Sequence, residues 1–232
     1  MNLKITADDH YRIVYDADKL DTAPADMFRP DYWPERGSEC DADLGRGGTR
    51  FISAPFGEAV LKKYLRGGQV ARWNRDLYLY LGFERTRPCR EFRLLAWMNK
   101  QGLPAPVPIA ALVERRGPVY RGALITALLP GTLSFAECIQ QGKSGSQLYR
   151  AVGRCIRRFH DAGVMHADLN VNNILVNGAG EVYLVDFDKS SRCKNATHWK
   201  QANLDRLHRS LNKLPGDPAL HWPELESGYN RV

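Results

Sequence analysis

At 232 residues and 44% apolar composition, the chain is long enough for one or two domains with a substantial core, and too apolar to be wholly disordered. No apolar run approaches the length of a membrane span, and the N-terminus MNLKITADDH lacks an apolar signal core, so a cytoplasmic protein is the expectation. The net charge of +7 is unevenly spread: residues 1–43 are acidic, whereas 62–93 carry Lys62, Lys63, Arg66, Arg72, Arg75, Arg85, Arg87, Arg90 and Arg93. Such a block suits an anionic partner or a solvated face. Five cysteines (40, 89, 138, 155 and 193) occur singly with no Cys-x-x-Cys pair, so free thiols are expected rather than a zinc site or disulfide framework.

Along the chain, residues 1–40 are weakly patterned and read as an N-terminal extension. Tyr11 to Tyr15 suggest a short strand, and the aromatics near Trp33 suggest packing against the domain C-terminal to them. Gly45, Gly47 and Gly48 then precede Phe51-Ile52. A Gly-rich turn between two strands lets backbone N–H groups approach phosphates, although such turns are also common without that role. Residues 58–65 read as a strand bearing Lys62 and Lys63. Lys62 is the candidate cation and Lys63 the alternative, because a shift of one residue turns the side chain to the other face.

Residues 66–87 form an insertion rich in Arg and aromatics, among them Trp73, Tyr78, Tyr80 and Phe83. It suits docking of an anionic acceptor, with a nucleic-acid surface as the competing reading. Residues 88–101 read as a helix with Phe92, Leu95 and Met98 at helical spacing and Glu91 in the first turn. Two strands follow at 109–113 and 120–129, and 128–131 reads as a hinge. Residues 146–160 form the clearest helix, with an apolar stripe of Leu148, Ala151, Val152, Cys155, Ile156 and Phe159. Ser146 is its candidate cap. Asn203 to Lys213 read as another helix, and the tail beyond is left unassigned.

The chemistry concentrates in HADLNVNNILVNGAGEVYLVDFD at 166–188. Asp168 and Asn173 bracket a short loop. A strand at 173–176, a turn at 177–180 and a strand at 182–185 fold back to return Asp186 beside them. Two carboxylates and an amide so gathered suit phosphoryl transfer: one carboxylate takes the acceptor proton, and the amide oxygen with the second carboxylate holds magnesium. Their order and spacing resemble the protein-kinase catalytic loop and its metal-binding Asp, with Asp168 as base and Asn173 and Asp186 as metal ligands. Residue 62 resembles the strand Lys that pairs nucleotide phosphates, and Glu91 the helix Glu that grips it. His166 receives a structural role, bracing the loop. Asn170 and Asp188 depart from the usual protein-kinase pattern, which carries Lys and Gly there.

Over roughly residues 30–213 the chain resembles the Kdo kinase family of bacterial lipopolysaccharide core kinases. The carrying stretches are GRGGTRFI at 45–52, LKKYLRGG at 61–68, ERTRPCREFRLL at 84–95, RRFHDAGVMHADLNVNNIL at 157–175 and VYLVDFD at 182–188. The resemblance implies an α+β, protein-kinase-like two-lobed fold. A small antiparallel-sheet N-lobe would span 41–129 and a helical C-lobe 130–232. It further implies an ATP- and Mg2+-dependent kinase that phosphorylates the 4-hydroxyl of 3-deoxy-D-manno-octulosonic acid (Kdo) on a lipid A precursor. Gly45, Gly47 and Gly48 would cover the ATP phosphates, and Lys62 and Glu91 would position them. The enzyme would work peripherally at the cytoplasmic face of the bacterial inner membrane, with no nucleic-acid partner. A RIO-type atypical protein kinase is the enzymatic alternative, and a pseudokinase that only binds a partner is the non-enzymatic one. The complete set of Asp168, Asn173 and Asp186 argues against the latter.

Overall fold

The structure, a computed structural model, describes residues 1–33, 48–65, 76–193 and 198–230. They belong to two compact units, Met1–Ala96 with Val107–Leu128, and Trp97–Pro106 with Leu129–Val232. The architecture is α+β, with one unit built on an antiparallel sheet and the other mostly helical, as a kinase-like fold requires.

The first unit contains β1 (Leu3–Ala7), β2 (Tyr11–Asp16), β3 (Thr49–Ala54), β4 (Gly57–Lys63), β5 (Tyr78–Leu79), most of α1 (Arg87–Lys100), β6 (Pro108–Arg116) and β7 (Val119–Ala127). The strands pair in the order β1-β2-β6-β7-β4-β3, with β5 on β7, and every pairing is antiparallel. The β1–β2 hairpin is closed by Asp8, whose Oδ1 accepts the N–H groups of His10 and Tyr11, each at 2.7 Å. A short Asp side chain is suited to this turn because it replaces a backbone acceptor.

Alternation along the strands sends one set of side chains inward. Ile13, Tyr15, Ile52, Ala59, Leu61, Ile109, Ala123 and Ile125 form a core with Ala23, Met27 and Phe28 from the segment after β2. Trp33 joins its margin, packing edge-on to Phe56 (5.6 Å) and donating Nε1–H to Met27 O (2.7 Å). The start of α1 lies hard against β7. A Cβ on Gly122 would stand 2.5 Å from Pro88 Cγ, so only glycine allows this approach.

The second unit contains β8 (Thr132–Ser134), α2 (Phe135–Gln140), α3 (Ser146–Asp161), β9 (Val164–Met165), β10 (Ile174–Asn177), β11 (Val182–Leu184), β12 (Ser191–Arg192), α4 (His198–Leu211) and α5 (Trp222–Asn230). Ser134 and Glu137 make a reciprocal capping box at α2. Ser146 is the first residue of α3 rather than its cap; Gly145 holds the cap position and makes no side-chain bond. The buried face of α3 is Tyr149, Val152, Cys155, Ile156, Phe159 and His160, rotated from the expected stripe, so that Leu148 and Ala151 are only half-buried.

The rotation reflects α5, the helix in the unassigned tail. Where the two cross, a Cβ on Gly153 would stand 2.1 Å from Leu225 O, and one on Gly228 2.1 Å from Arg150 O. Glycine on both helices thus allows backbone-to-backbone contact. Cys89, Cys138, Cys155 and Cys193 are free thiols, and burial pushes those of Cys89 and Cys155 up to about 12, which keeps them unreactive.

Candidate active site

The catalytic hairpin forms with Ile174 opposite Leu184 and Val176 opposite Val182. One step beyond the ladder, Val185 N–H donates to Asn173 O (3.0 Å), which brings Asp186 back to the loop that carries Asp168. Phe187 anchors the return: it is 1% exposed, stacks on Phe159 (5.6 Å) and lies against the His166 ring (4.8 Å). Asp186 itself takes a φ of 61°, a left-handed conformation that Asp tolerates better than most residues.

His166 is buried (2%) and braces the loop through both ring nitrogens. Its Nδ1 accepts the Asp168 N–H (3.1 Å), so Nε2 carries the proton and donates to Val185 O (2.9 Å). This is a structural bond set for a neutral imidazole, in keeping with the role read from sequence. Asn173 Nδ2 donates to Asp168 O (2.9 Å), which leaves its amide oxygen as the acceptor of that side chain. Asn170 Nδ2 donates to the same carbonyl (3.0 Å), and its Oδ1 accepts from Asn172 N–H (2.9 Å).

One face of α4 clamps this loop, a feature missed in the sequence. Asn203 exchanges two bonds with the His166 backbone: Oδ1 accepts N–H at 3.1 Å and Nδ2 donates to O at 2.9 Å. Arg206 Nη1 meets Asp168 Oδ1 at 2.8 Å. Ser210 Oγ accepts the Val171 N–H (3.2 Å). Residues 203, 206 and 210 share a helical face, so the polar stripe was readable, but nothing local said what it would grip. Among the described residues, Asp168 Oδ2 carries no hydrogen bond.

In the first unit, Lys62 Nζ lies 3.1 Å from both carboxylate oxygens of Glu91. Glu91 is buried (4%) and also accepts from the Tyr64 hydroxyl at 2.5 Å. Lys63, the alternative, is exposed, and its N–H donates to Gly48 O (2.6 Å). The Arg87 guanidinium lies over Tyr64 and Tyr78, 5.3 and 4.7 Å from the ring centroids, and donates to the Tyr78 hydroxyl (2.6 Å).

Of the candidate phosphate loop, Gly45 and Gly47 lie outside the described residues. Gly48 is described, and a Cβ there would stand 2.9 Å from Lys63 O, so glycine at this position serves strand packing. Of the insertion, residues 66–75, including Trp73, also lie outside. Its described part is tied to the sheet: Tyr78 and Tyr80 pack on Tyr120, and Phe83 is buried. Among the described residues, no helix is long and apolar enough to cross a membrane.

Asn173 and Asp186 supply hard oxygen donors suited to magnesium. No cluster of three or more His, Cys, Asp or Glu that could hold a metal occurs among the described residues. A magnesium ion that also binds nucleotide phosphates needs only one or two protein carboxylates, so the donor set fits.

Comparison with known proteins agrees with this geometry. The profile of the lipopolysaccharide kinase (Kdo/WaaP) family matches residues 30–229. A protein of Xanthomonas axonopodis pv. citri named 3-deoxy-D-manno-octulosonic acid kinase is 46% identical over 220 residues, covering 95% of this chain and 87% of its own. A Xylella fastidiosa protein of the same name is 42% identical over 205 residues, covering 88% and 82%. The chain belongs to the lipopolysaccharide kinase (Kdo/WaaP) family, a family of kinases.

Proposed function

We propose that this protein transfers the γ-phosphoryl group of ATP to the 4-hydroxyl of a Kdo residue carried on a lipid A precursor. The observation that carries the reading is the braced loop, with Asp168 offering one unengaged carboxylate oxygen beside the Asn173 amide. The acceptor sugar is taken from the relatives, named 3-deoxy-D-manno-octulosonic acid kinase, and the 4-hydroxyl and lipid carrier from the family resemblance in the sequence.

In this mechanism Asp168 Oδ2 accepts the proton of the acceptor hydroxyl as the new O–P bond forms and the bond from γ-phosphorus to the ADP oxygen breaks. The His166 bond holds the Asp168 backbone and Arg206 engages Oδ1, which leaves Oδ2 for the acceptor. Lys62, oriented by Glu91, binds nucleotide phosphate. Asn173 Oδ1 and the Asp186 carboxylate would hold magnesium, which when bound neutralises phosphate charge. Work at a membrane surface follows from the acceptor, an anionic glycolipid that a basic chain attracts.

The test offers the purified full chain labelled ATP and magnesium with a Kdo-bearing lipid A precursor, the same lipid lacking Kdo, and a generic protein. Label on the Kdo lipid alone is expected. Label on protein overturns the reading in favour of an atypical protein kinase. Nucleotide binding without any transfer identifies a pseudokinase. Co-sedimentation with anionic vesicles but not neutral ones checks the membrane site.

A further inference from the structure

We infer that Arg206 reads the carboxylate of the acceptor sugar, making it the residue that selects an acidic sugar over a neutral one. The inference rests on the Kdo reading and adds a second part for Arg206, which in that reading only engages Asp168 Oδ1.

Arg206 lies on α4 and is half-exposed, as is Asp168. Its ion pair with Asp168 uses one terminal nitrogen on one carboxylate oxygen, and among the described residues the guanidinium makes no other bond. A guanidinium has five N–H donors in a planar fork, so most of its capacity faces solvent next to the base. The pair is not needed to hold the loop. His166, Asn203, Ser210 and Asn173 already fix its backbone through hydrogen bonds of their own, whereas an exposed ion pair adds little stability. Asn170, two residues from the base, is neutral and engaged with the loop backbone. Among the described residues, Arg206 therefore supplies the positive charge paired with Asp168.

The acceptor's chemistry gives that charge a use. In a 3-deoxy-2-ulosonic acid the carboxyl carbon is attached to C2, C3 has no hydroxyl, and the first ring hydroxyl is on C4. When that hydroxyl reaches Asp168 Oδ2, the carboxylate is separated from it by only one methylene and the two ring carbons that flank it. Two anions would then face each other across the reacting centre. A guanidinium already fixed on Oδ1 can bridge both, relieving the repulsion and fixing which hydroxyl meets the base. A neutral sugar would leave those donors unpaired.

The experiment crosses enzyme and acceptor changes. Wild type, Arg206→Gln and Arg206→Lys, each checked by circular dichroism, are assayed on the Kdo lipid and on the same lipid with the Kdo carboxylate converted to a carboxamide. For wild type, kcat/KM is expected to favour the carboxylate by about 10- to 100-fold, the range for a hydrogen bond to a charged group. In Arg206→Gln this ratio should fall toward one, with the change in acceptor KM rather than ATP KM, and Arg206→Lys should lie between. The ratio is insensitive to any loss common to both acceptors, such as a displaced base. An unchanged ratio in Arg206→Gln overturns the inference while leaving the Kdo reading intact. Failure of wild type to phosphorylate the Kdo lipid at all overturns both.

Discussion

Two ion pairs of this kinase, Lys62–Glu91 in one unit and Asp168–Arg206 in the other, are built on opposite principles. Lys62–Glu91 is largely buried, bidentate and supported by Tyr64, with Glu91 at 4% and Lys62 at 24% exposure. Asp168–Arg206 is open, at 56% and 49%, and uses a single contact. Burial makes the first pair expensive to break, because the Glu91 carboxylate would lose its cation in a site closed to water. Exposure makes the second nearly neutral for stability and leaves it available to exchange partners with an incoming molecule. On the proposed mechanism, a group that only has to orient a phosphate-binding lysine can be sealed in, and one that must take a proton from a bulky acceptor cannot.

The contrast is tested most severely by separating activity from stability. Asp168→Asn should lower transfer by at least about 10²- to 10⁴-fold, the usual worth of a general base, while ATP binding survives and stability changes by about 1 kcal/mol or less. Glu91→Ala should do the reverse in proportion. It removes the buried carboxylate that pairs with Lys62 and should cost about 3 kcal/mol, a fall in Tm of roughly 6–12 °C. Thermal melts of the two variants, with single-turnover assays on each, decide the matter. A large Tm loss in Asp168→Asn, or none in Glu91→Ala, would reverse the roles assigned to exposure and burial.

A second buried titratable group extends the comparison to pH. His160 in α3 is 2% exposed, with Nδ1 on the Tyr229 hydroxyl (2.8 Å) and Trp199 edge-on to its ring (5.0 Å). Burial drives its pKa down from 6.5 to about 4, against the opposing influence of the Asn203 side chain; Lys200 and Arg157 act with burial, and Asp161 against it. Between these values the unfolded chain binds the proton and the folded one does not. Stability is therefore full above pH 6.5 and lost as pH falls toward 4, by about 3 kcal/mol in all. Urea midpoints measured from about pH 7 to 5 should fall in the wild type and fall much less in His160→Gln, whatever the variant's stability at neutral pH. Parallel slopes in the two proteins would remove His160 as the cause.

How much of this was visible in the chain depended on whether the deciding contact was local. The catalytic hairpin was legible because its strands, turn and returning Asp186 lie within 166–188 and obey turn chemistry. The strand carrying Lys62 was legible, but the choice between Lys62 and Lys63 was not. Both faces of β4 are covered, one by the core around Met27 and Phe28 and the other by α1, so alternation alone could not say which face met Glu91. β1 escaped notice because an edge strand with mostly exposed side chains shows little apolar alternation. The clamp of Asn203, Arg206 and Ser210 on the loop was illegible for another reason: its contacts span 37 to 39 residues, and a polar stripe on a helix usually means solvent.

The smallest expected effect isolates one atom of the buried pair. Tyr64 is 2% exposed, and its hydroxyl donates to Glu91 Oε2, the oxygen that also faces Lys62. Tyr64→Phe keeps the ring and removes only that donor. The charge on Glu91 remains compensated by Lys62, so the loss should be below that of Glu91→Ala, at about 1–2 kcal/mol for a hydrogen bond to a charged acceptor. Among the described residues the carboxylate would then keep only Lys62, and the lysine would be less firmly oriented toward phosphate. ATP KM should rise about 3- to 10-fold while the acceptor KM stays constant, a split that a general loosening of the fold would not produce. Equal changes in both KM values would mean that Tyr64 supports the unit as a whole rather than the pair.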